Sequence, residues 1–348
     1  VDKPRARAHP IRESDGFQLK EDAKVSRVQK AVITAAGRGT RMYPATTTIQ
    51  KEMLPIMDRD GICKPAIQII IEEALESGIE EVCLVVNPNN RAQIEQHFAP
   101  LSPEELKLFK GKDWALLQSA RIQQIAARLT FVVQESPEGY GHAVWCARDF
   151  VGDEPFLLML GDHIYTTGED KRCARQVIEI YEQYGNTVSA VQQTPTELLH
   201  LFGTVCGKRI SERPPTYEVS AIYEKPTPEY AEQHLQQQGL LHGMYLCFFG
   251  MHIMSPAVFD CLQYAIDNNL REKGEFQFTS AQERLRASGE RYLAAETIGD
   301  RHDIGIPFGY AQTQAALALN SVYKEQMLAA LVTTLAVPRK AIPEPFRE

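Results

Sequence analysis

The residues best equipped for chemistry begin with two cations, Arg41 and Lys51, that follow a glycine-paired stretch, Ala36-Gly37-Arg38-Gly39-Thr40. Glycines let a backbone loop approach a ligand closely, and cations beside exposed amides suit a polyphosphate. A carboxylate, Asp162, follows Gly161 at the end of the most apolar run of the chain, Pro155 to Leu160. An acid at the mouth of a buried strand is a natural ligand for a hard cation, and magnesium takes one or two carboxylates together with substrate phosphates. An acid and a base, Glu224 and Lys225, precede Pro226, which stops ladder pairing and leaves them at a strand end. Plainer readings stay open: a tight turn with two solvated cations, a helix N-cap at Asp162, and an exposed ion pair at Glu224 and Lys225.

The elements that must position these groups alternate between strand and helix. Ala31-Val32-Ile33 reads as a buried strand that delivers the glycine loop. The spacing of Ile67, Ile70, Ile71, Ala74 and Leu75 predicts a helix from Lys64-Pro65 to Gly78, and Glu81 to Val86 is a second strand closed by Asn87-Pro88. Together they make a βαβ unit, so the two strands are parallel. A Pro-bounded helical insertion starts at Pro100. Phe131-Val132-Val133 follows as a third strand, with Gln134 at its carboxyl end and a glycine-paired turn, Glu138 to Ala143, behind it. Helical spacing between Gly168 and Tyr184 leads to a strand over Thr187 to Val191.

From there the strands become shorter and turn-separated: Phe202 to Val205, Tyr217 to Tyr223, and Gly243 to Phe249, where the leading glycine would let a ligand pass close to the backbone. A helix after Ser255-Pro256, a strand from Arg291 to Ile298 and a helical stretch from Pro307 to about Ala330 complete the pattern. The expected fold is α/β: a Rossmann-like mixed, mostly parallel central sheet flanked by helices, with a C-terminal helical segment. The expected organisation is a flexible arm over 1–27, a domain over 28–320 divided near 192, and a C-terminal helix and tail over 321–348.

Composition narrows the function classes. The chain has 348 residues, 44% hydrophobic and 24% charged, as in an ordinary soluble globular protein. Its net charge of -8 argues against a nucleic-acid backbone as partner while permitting a local basic pocket. No apolar run reaches the roughly 18 residues of a membrane span, and the first 27 residues have no secretory segment. We therefore expect a cytoplasmic protein. The seven cysteines are scattered without a C-x-x-C pair, which points to reduced core residues rather than zinc or disulfides.

The glycine loop matches neither the dinucleotide fingerprint, since Met42 stands where a third small residue is needed, nor G-x-x-x-x-G-K-[ST]. With its neighbours it reads G-x-G-T-R-M, P-A-T and K-E-M-L-P over Gly37 to Pro55, followed by Glu224-Lys225-Pro226, E-x-Q-x-T from Glu275, and D-x-G from Asp303. This series resembles the bacterial-type UTP-glucose-1-phosphate uridylyltransferases, members of the sugar nucleotidyltransferases, over about Gln29 to Leu319. The resemblance implies a nucleotidyltransferase or glycosyltransferase-A-like fold and the reaction of UTP with glucose 1-phosphate to give UDP-glucose and pyrophosphate.

It further implies roles. Ala36, Gly37, Gly39, Thr40, Gln134, Gly139 and His142 would bind the nucleotide, and Gly203, Glu224 and Gly243 the sugar. Arg41, Lys51 and Lys225 would hold the phosphates, and Asp162 with Asp303 would hold Mg2+. A glutamine amide can donate to a uracil carbonyl and accept from N3–H, so Gln134 fits a pyrimidine edge. Self-association as a dimer or tetramer through the C-terminal helices is also implied.

The chain departs from the family pattern at Arg38, usually apolar, at Thr47, often lysine, and at an apparent insertion, Asp60 to Cys63. The missing lysine at 47 puts one phosphate contact in doubt. A thymidylyl- or cytidylyltransferase acting on a sugar 1-phosphate, and a non-catalytic sugar-nucleotide sensor on the same fold, are the competing readings.

Overall fold

A computed structural model describes residues 25–337. Its strands are β1 (Lys30–Ala35), β2 (Pro55–Met57), β3 (Cys63–Pro65), β4 (Glu81–Val86), β5 (Leu129–Val133), β6 (Phe156–Leu160) and β7 (His163–Thr166), then β8 (Thr187–Pro195), β9 (Gly203–Glu212), β10 (Pro215–Glu224), β11 (Met244–Met254), β12 (Tyr292–Glu296) and β13 (Asp300–Asp303).

Nine of these form one sheet in the order β5-β4-β1-β6-β11-β8-β12-β10-β9. β5, β4, β1 and β6 are mutually parallel, and β12 is parallel to β8. The carboxyl ends of β1, β4, β5 and β6 therefore share one edge, and so do the loops that follow them. The second half is antiparallel where β11 meets β6 and β8 and where β10 meets β12 and β9. β9 also pairs with β11, so β11, β8, β12, β10 and β9 close on themselves beside the open parallel half.

Alternation along the strands splits the core into two layers. Ala31, Ile33 and Ala35 pack with Ile67, Ile70 and Ile71 of the helix Ala66–Glu76 and with Val177 and Ile178 of the helix Cys173–Tyr184. Val32 faces the other way, toward Val144 of the helix Tyr140–Cys146, Leu262 of Val258–Asp267 and Leu285 of Phe278–Ala287.

The structure corrects several expectations. The helix Ala66–Glu76 is not one-faced: Gln68, Glu72 and Glu73 are buried as well. Its acids are compensated, with Lys64 Nζ 3.0 Å from Glu72 and Arg172 Nη1 3.1 Å from Glu73. The apparent insertion explains this arrangement. It forms the β2–β3 turn, and Lys64 is clasped there by Asp58 at 2.6 Å and Asp60 at 2.9 Å.

Helical structure after Gly168 begins only at Cys173. The strand expected over Arg291 to Ile298 is shorter, and a separate strand, β13, follows it and pairs with β7. The C-terminal helical stretch is broken between Leu319 and Lys324. Cys63 is exposed, whereas Cys83, Cys173, Cys206, Cys247 and Cys261 are buried, and all seven are free. Of the expected arm, residues 1–24 lie outside the described residues, as do residues 338–348 of the tail. Ser26 already contacts the body, its Oγ 3.2 Å from the Tyr181 hydroxyl. Among the described residues no helix is long and apolar enough to cross a membrane.

Candidate active site

Two concave compartments open at the carboxyl edge of the parallel strands. The first, of about 490 Å³, is lined by the loop after β1, by Lys51, by Gln134 and by the Gly139–Tyr140 turn. The second, of about 350 Å³, is lined by Gly203, Glu224, Lys225, Phe248, Arg301 and Asp303. Both fall within the roughly 300–1,000 Å³ typical of small-molecule sites. Asp162 and Tyr140 line both.

In the first compartment the loop is fastened from beneath. Asn90 Nδ2 donates to the Ala35 carbonyl at 2.7 Å, Asn87 Nδ2 to Ala36 at 3.1 Å, and Thr46 Oγ1 to Gly39 at 2.9 Å. Gly39 sits at φ 64, the left-handed region that favours glycine. Ala36, Gly37 and Thr40 line the cavity, and a Cβ on Gly37 would lie 3.5 Å from Lys51 Nζ.

Gln134 spends both amide hydrogens internally, one on the Gly139 carbonyl at 3.1 Å and one on His142 Nδ1 at 3.0 Å. Its Oε1 is left as the group that meets a ligand, and it can only accept. His142 lines neither compartment. It stacks on Trp145 at 5.6 Å and holds the Gln134 amide at 3.0 Å. Gly139 has φ 108, and any Cβ there would meet Glu275 at 2.7 Å and the Phe276 carbonyl at 2.8 Å. Phe276 in turn bonds Glu138 and Gly141 through its backbone, so the E-x-Q-x-T segment closes the compartment wall.

The two compartments meet at a charged junction. Lys51, on a short turn, places Nζ 2.5 Å from Asp162 Oδ2 and 3.5 Å from Glu52 Oε1. Asp162 sits in the turn between β6 and β7, which Gly161 presses against the Thr34 carbonyl at 2.9 Å. β7 pairs with β13 so that His163 stands opposite Asp303, and this two-stranded ribbon carries Asp303 across to Asp162. Ligand atoms of Asp162, His163 and Asp303 all lie within 4.8 Å of one another. Arg41 reaches in from the loop, its Nη1 3.9 Å from Asp303 Oδ2, and the Gly305 amide donates to Asp303 Oδ1 at 2.7 Å.

Burial works against the charges of Asp162, Lys51, Glu52 and His163; neighbours overcome it at the first two and not at the others. Burial alone would raise the Asp162 carboxyl, yet the Lys51 ammonium holds it well below the usual carboxylate range. The same burial would lower Lys51, and Asp162 with Glu52 keeps it firmly charged. Glu52 is fully enclosed and is pushed up to about 7 by burial, against the partial relief Lys51 gives. Burial brings His163 down to about 4, despite the opposing pull of Asp162.

The second compartment is built around Glu224, which faces Gly203 across β10 and β9. A Cβ at 203 would lie 2.7 Å from the Phe248 ring and 3.2 Å from Glu224 Oε2, so only glycine fits. Thr279 Oγ1 donates to Glu224 Oε2 at 2.6 Å and fixes the acid. Lys225 adopts φ 47, uncommon for a residue with a Cβ and a sign of constraint at a working site. Its Nζ is 3.5 Å from Glu224 Oε1. Arg301 stacks over Phe202 at 3.7 Å and donates to the Phe248 carbonyl.

Among the expected sugar-binding residues, one lies elsewhere. Gly243 borders a separate small cavity, and its carbonyl accepts from Thr196 N and Oγ1, each at 3.0 Å. The glycine of that strand which lines the compartment is Gly250, at φ 92 where the β11–β8 register shifts. Sequence reading did not single out Arg301, Tyr140 or Thr279 individually; Tyr140 lies within the glycine-paired turn and Thr279 is the last position of E-x-Q-x-T.

The donor set at the junction fits a hard divalent cation. Asp162 and Asp303 converge without a shared hydrogen bond, and each is held from one side, by Lys51 and by the Gly305 amide.

Comparison with known proteins agrees with this architecture. The nucleotidyl transferase family model matches residues 30–318. The UTP–glucose-1-phosphate uridylyltransferase of Bacillus subtilis (strain 168) is 36% identical over 296 residues, covering 85% of this chain and 92% of that protein. A crystal structure of UDP-glucose pyrophosphorylase complexed with UDP-glucose superposes with a TM-score of 0.66 at 28% identity, over 83% of this chain and 98% of that one. A UTP-bound UDP-glucose pyrophosphorylase of Acinetobacter baumannii gives a TM-score of 0.72 at 26% identity, over 88% and 99%. The chain belongs to the nucleotidyl transferase family, in the branch of the bacterial UTP–glucose-1-phosphate uridylyltransferases.

Proposed function

We propose that this protein transfers a uridylyl group from UTP to glucose 1-phosphate, releasing UDP-glucose and pyrophosphate. The observation that carries this reading is the position of Asp162: it lines both compartments and stands between Lys51 on the nucleotide side and Asp303 on the sugar side. A phosphate oxygen of the sugar phosphate attacks the α-phosphorus in line. The new P–O bond forms as the bond to the β-phosphate breaks, and pyrophosphate leaves. The attacking oxygen is already anionic, so no side chain has to remove a proton. Catalysis then comes from alignment and from charge placed where two polyanions meet.

Each residue has a part in that placement. The loop from Ala36 to Thr40 and Arg41 receive the triphosphate, Lys51 faces its reacting end, and Lys225 holds the incoming phosphate. Glu224, fixed by Thr279, accepts from sugar hydroxyls. Gln134 Oε1 accepts from N3–H of uracil; cytosine carries no hydrogen there, so the acceptor discriminates against it. Asp162 and Asp303 would hold Mg2+, which when bound neutralises phosphate charge at the reacting phosphorus. The nucleotide half spans about 28–192 and the sugar half about 193–320. The protein works in the cytoplasm as a homo-oligomer.

The test is pyrophosphate release from glucose 1-phosphate and Mg2+ with each of UTP, dTTP, CTP and ATP. Release with UTP above the others is expected. Preference for dTTP or CTP would reassign the base, and no release with any nucleotide would leave a sensor on this fold.

A further inference from the structure

We propose that His163 is a third protein ligand of the cation held between Asp162 and Asp303, and that its nitrogen turns the site toward late first-row metals such as Co2+ in preference to Mg2+. The inference deepens the transferase reading and rests on it.

The fold brings the imidazole there by an unusual route. Consecutive strand residues point to opposite faces, so Asp162 and His163 would diverge if both belonged to β7. Asp162 instead lies in the turn ahead of the strand, while His163 is its first residue and stands opposite Asp303. All three therefore offer ligand atoms within 4.8 Å of one another.

The ring is buried, 7% exposed, and its Nδ1 has no hydrogen-bond partner among the described residues. An enclosed polar atom without a partner is costly, so an unpaired Nδ1 on a ring that also offers a ligand atom to the two aspartates calls for a purpose. Neighbours that could have paired with it are engaged elsewhere. The Tyr165 hydroxyl donates to the Gly250 carbonyl at 3.0 Å, and Arg301 donates to Phe248. Gly250 makes the room: a Cβ there would lie 2.6 Å from His163 Nδ1.

The chemistry follows from the donor set. Two carboxylates and phosphate oxygens suit magnesium, which gains little from nitrogen. Imidazole favours later divalent metals, whose affinity for nitrogen sites rises from Mn2+ through Co2+. Loss of His163 should accordingly weaken Co2+ much more than Mg2+.

The experiment uses the full chain with UTP and no sugar phosphate. Mn2+ serves as the spectroscopic probe, with pulsed EPR reading ¹⁴N modulation from a directly bound imidazole, and calorimetry measures Co2+ and Mg2+ binding in wild type and H163A. The expected result is ¹⁴N modulation in the wild type that disappears on labelling histidine with ¹⁵N, and a Co2+ affinity lowered about tenfold or more in H163A with Mg2+ affinity little changed. Bound Mn2+ without nitrogen modulation would overturn the third ligand and leave the two-aspartate site standing. Absence of any cation binding in the presence of UTP would overturn both. Should H163A fail to fold, the wild-type spectrum decides alone.

Discussion

Replacing Lys51 by alanine separates the catalytic part of this site from its structural part. The Lys51 ammonium lies 2.5 Å from Asp162 and 3.5 Å from Glu52, with its side chain 12% exposed. Breaking one partner of a buried pair typically costs about 3–5 kcal/mol, because the other charge is left uncompensated. Here the cost has a ceiling. Burial already pushes Glu52 up to about 7, and without Lys51 burial raises the Asp162 carboxyl as well, so proton uptake limits the charge left uncompensated. The fold should survive with a lowered melting temperature.

Turnover is affected by a different quantity. A cationic donor aimed at charge that develops in the transition state is worth about 2.7–4 kcal/mol, so K51A should lose about 10²- to 10³-fold in kcat. The assay is pyrophosphate release at saturating UTP and glucose 1-phosphate, alongside a thermal melt. K51M, which keeps most of the buried stem, should restore stability more than activity. If K51A retains kcat within about threefold of wild type, Lys51 has no part in the transfer.

Three further outcomes follow from the geometry. Glu52 is raised from its ordinary 4.5 to about 7, so the folded state keeps a proton that the unfolded chain loses, and stability falls as pH rises through that window. Denaturant melts in chelator should show E52Q gaining on wild type by up to about 3 kcal/mol between pH 4.5 and 7.5, and parallel profiles would remove Glu52 as the source. G203A forces a Cβ to 2.7 Å from Phe248 and 3.2 Å from Glu224, so KM for glucose 1-phosphate should rise about tenfold while UTP binding, read by calorimetry, stays unchanged. Methylating uracil N3 leaves Gln134 Oε1 facing a methyl group; the analogue should bind about tenfold or more weakly than UTP, and equal affinity would mean the base is read elsewhere.

Much of the architecture was legible because it rests on long apolar runs. β1, β4 and β6 are mostly apolar segments that read as buried strands, and β5, though only half-buried, carries the same apolar run and ends at Gln134. The ribbon of β7 and β13 was not legible. His163–Thr166 and Asp300–Asp303 are four residues each, and the second is wholly polar, so neither alternation nor propensity announces them. Gly250 was hidden by the opposite circumstance. The run from Met244 to Met254 is nearly uniform in hydrophobicity, and the bend inside it depends on pairing with β8 that only the fold supplies. Gly243 drew attention in its place because it leads the strand, where a turn needed φ 78 for its own reasons.

The same contrast explains why the site's chemistry was only half visible. Motif residues such as Lys51 and Glu224 carry local signals, whereas Asp303 matters through where a distant ribbon puts it. Once β13 lies on β7, the junction between the compartments sets two carboxylates against Lys51 and Arg41, so its own charges are balanced. Two polyanions added to a balanced site leave an excess of negative charge inside a half-buried cavity, where screening by water is weak. A carboxylate pair in a site built for anions would then be a liability unless a cation accompanies them. On the proposed reading, a divalent ion held by Asp162 and Asp303 would serve substrate recognition as well as the transfer step, and nucleotide affinity should rise with the metal supplied.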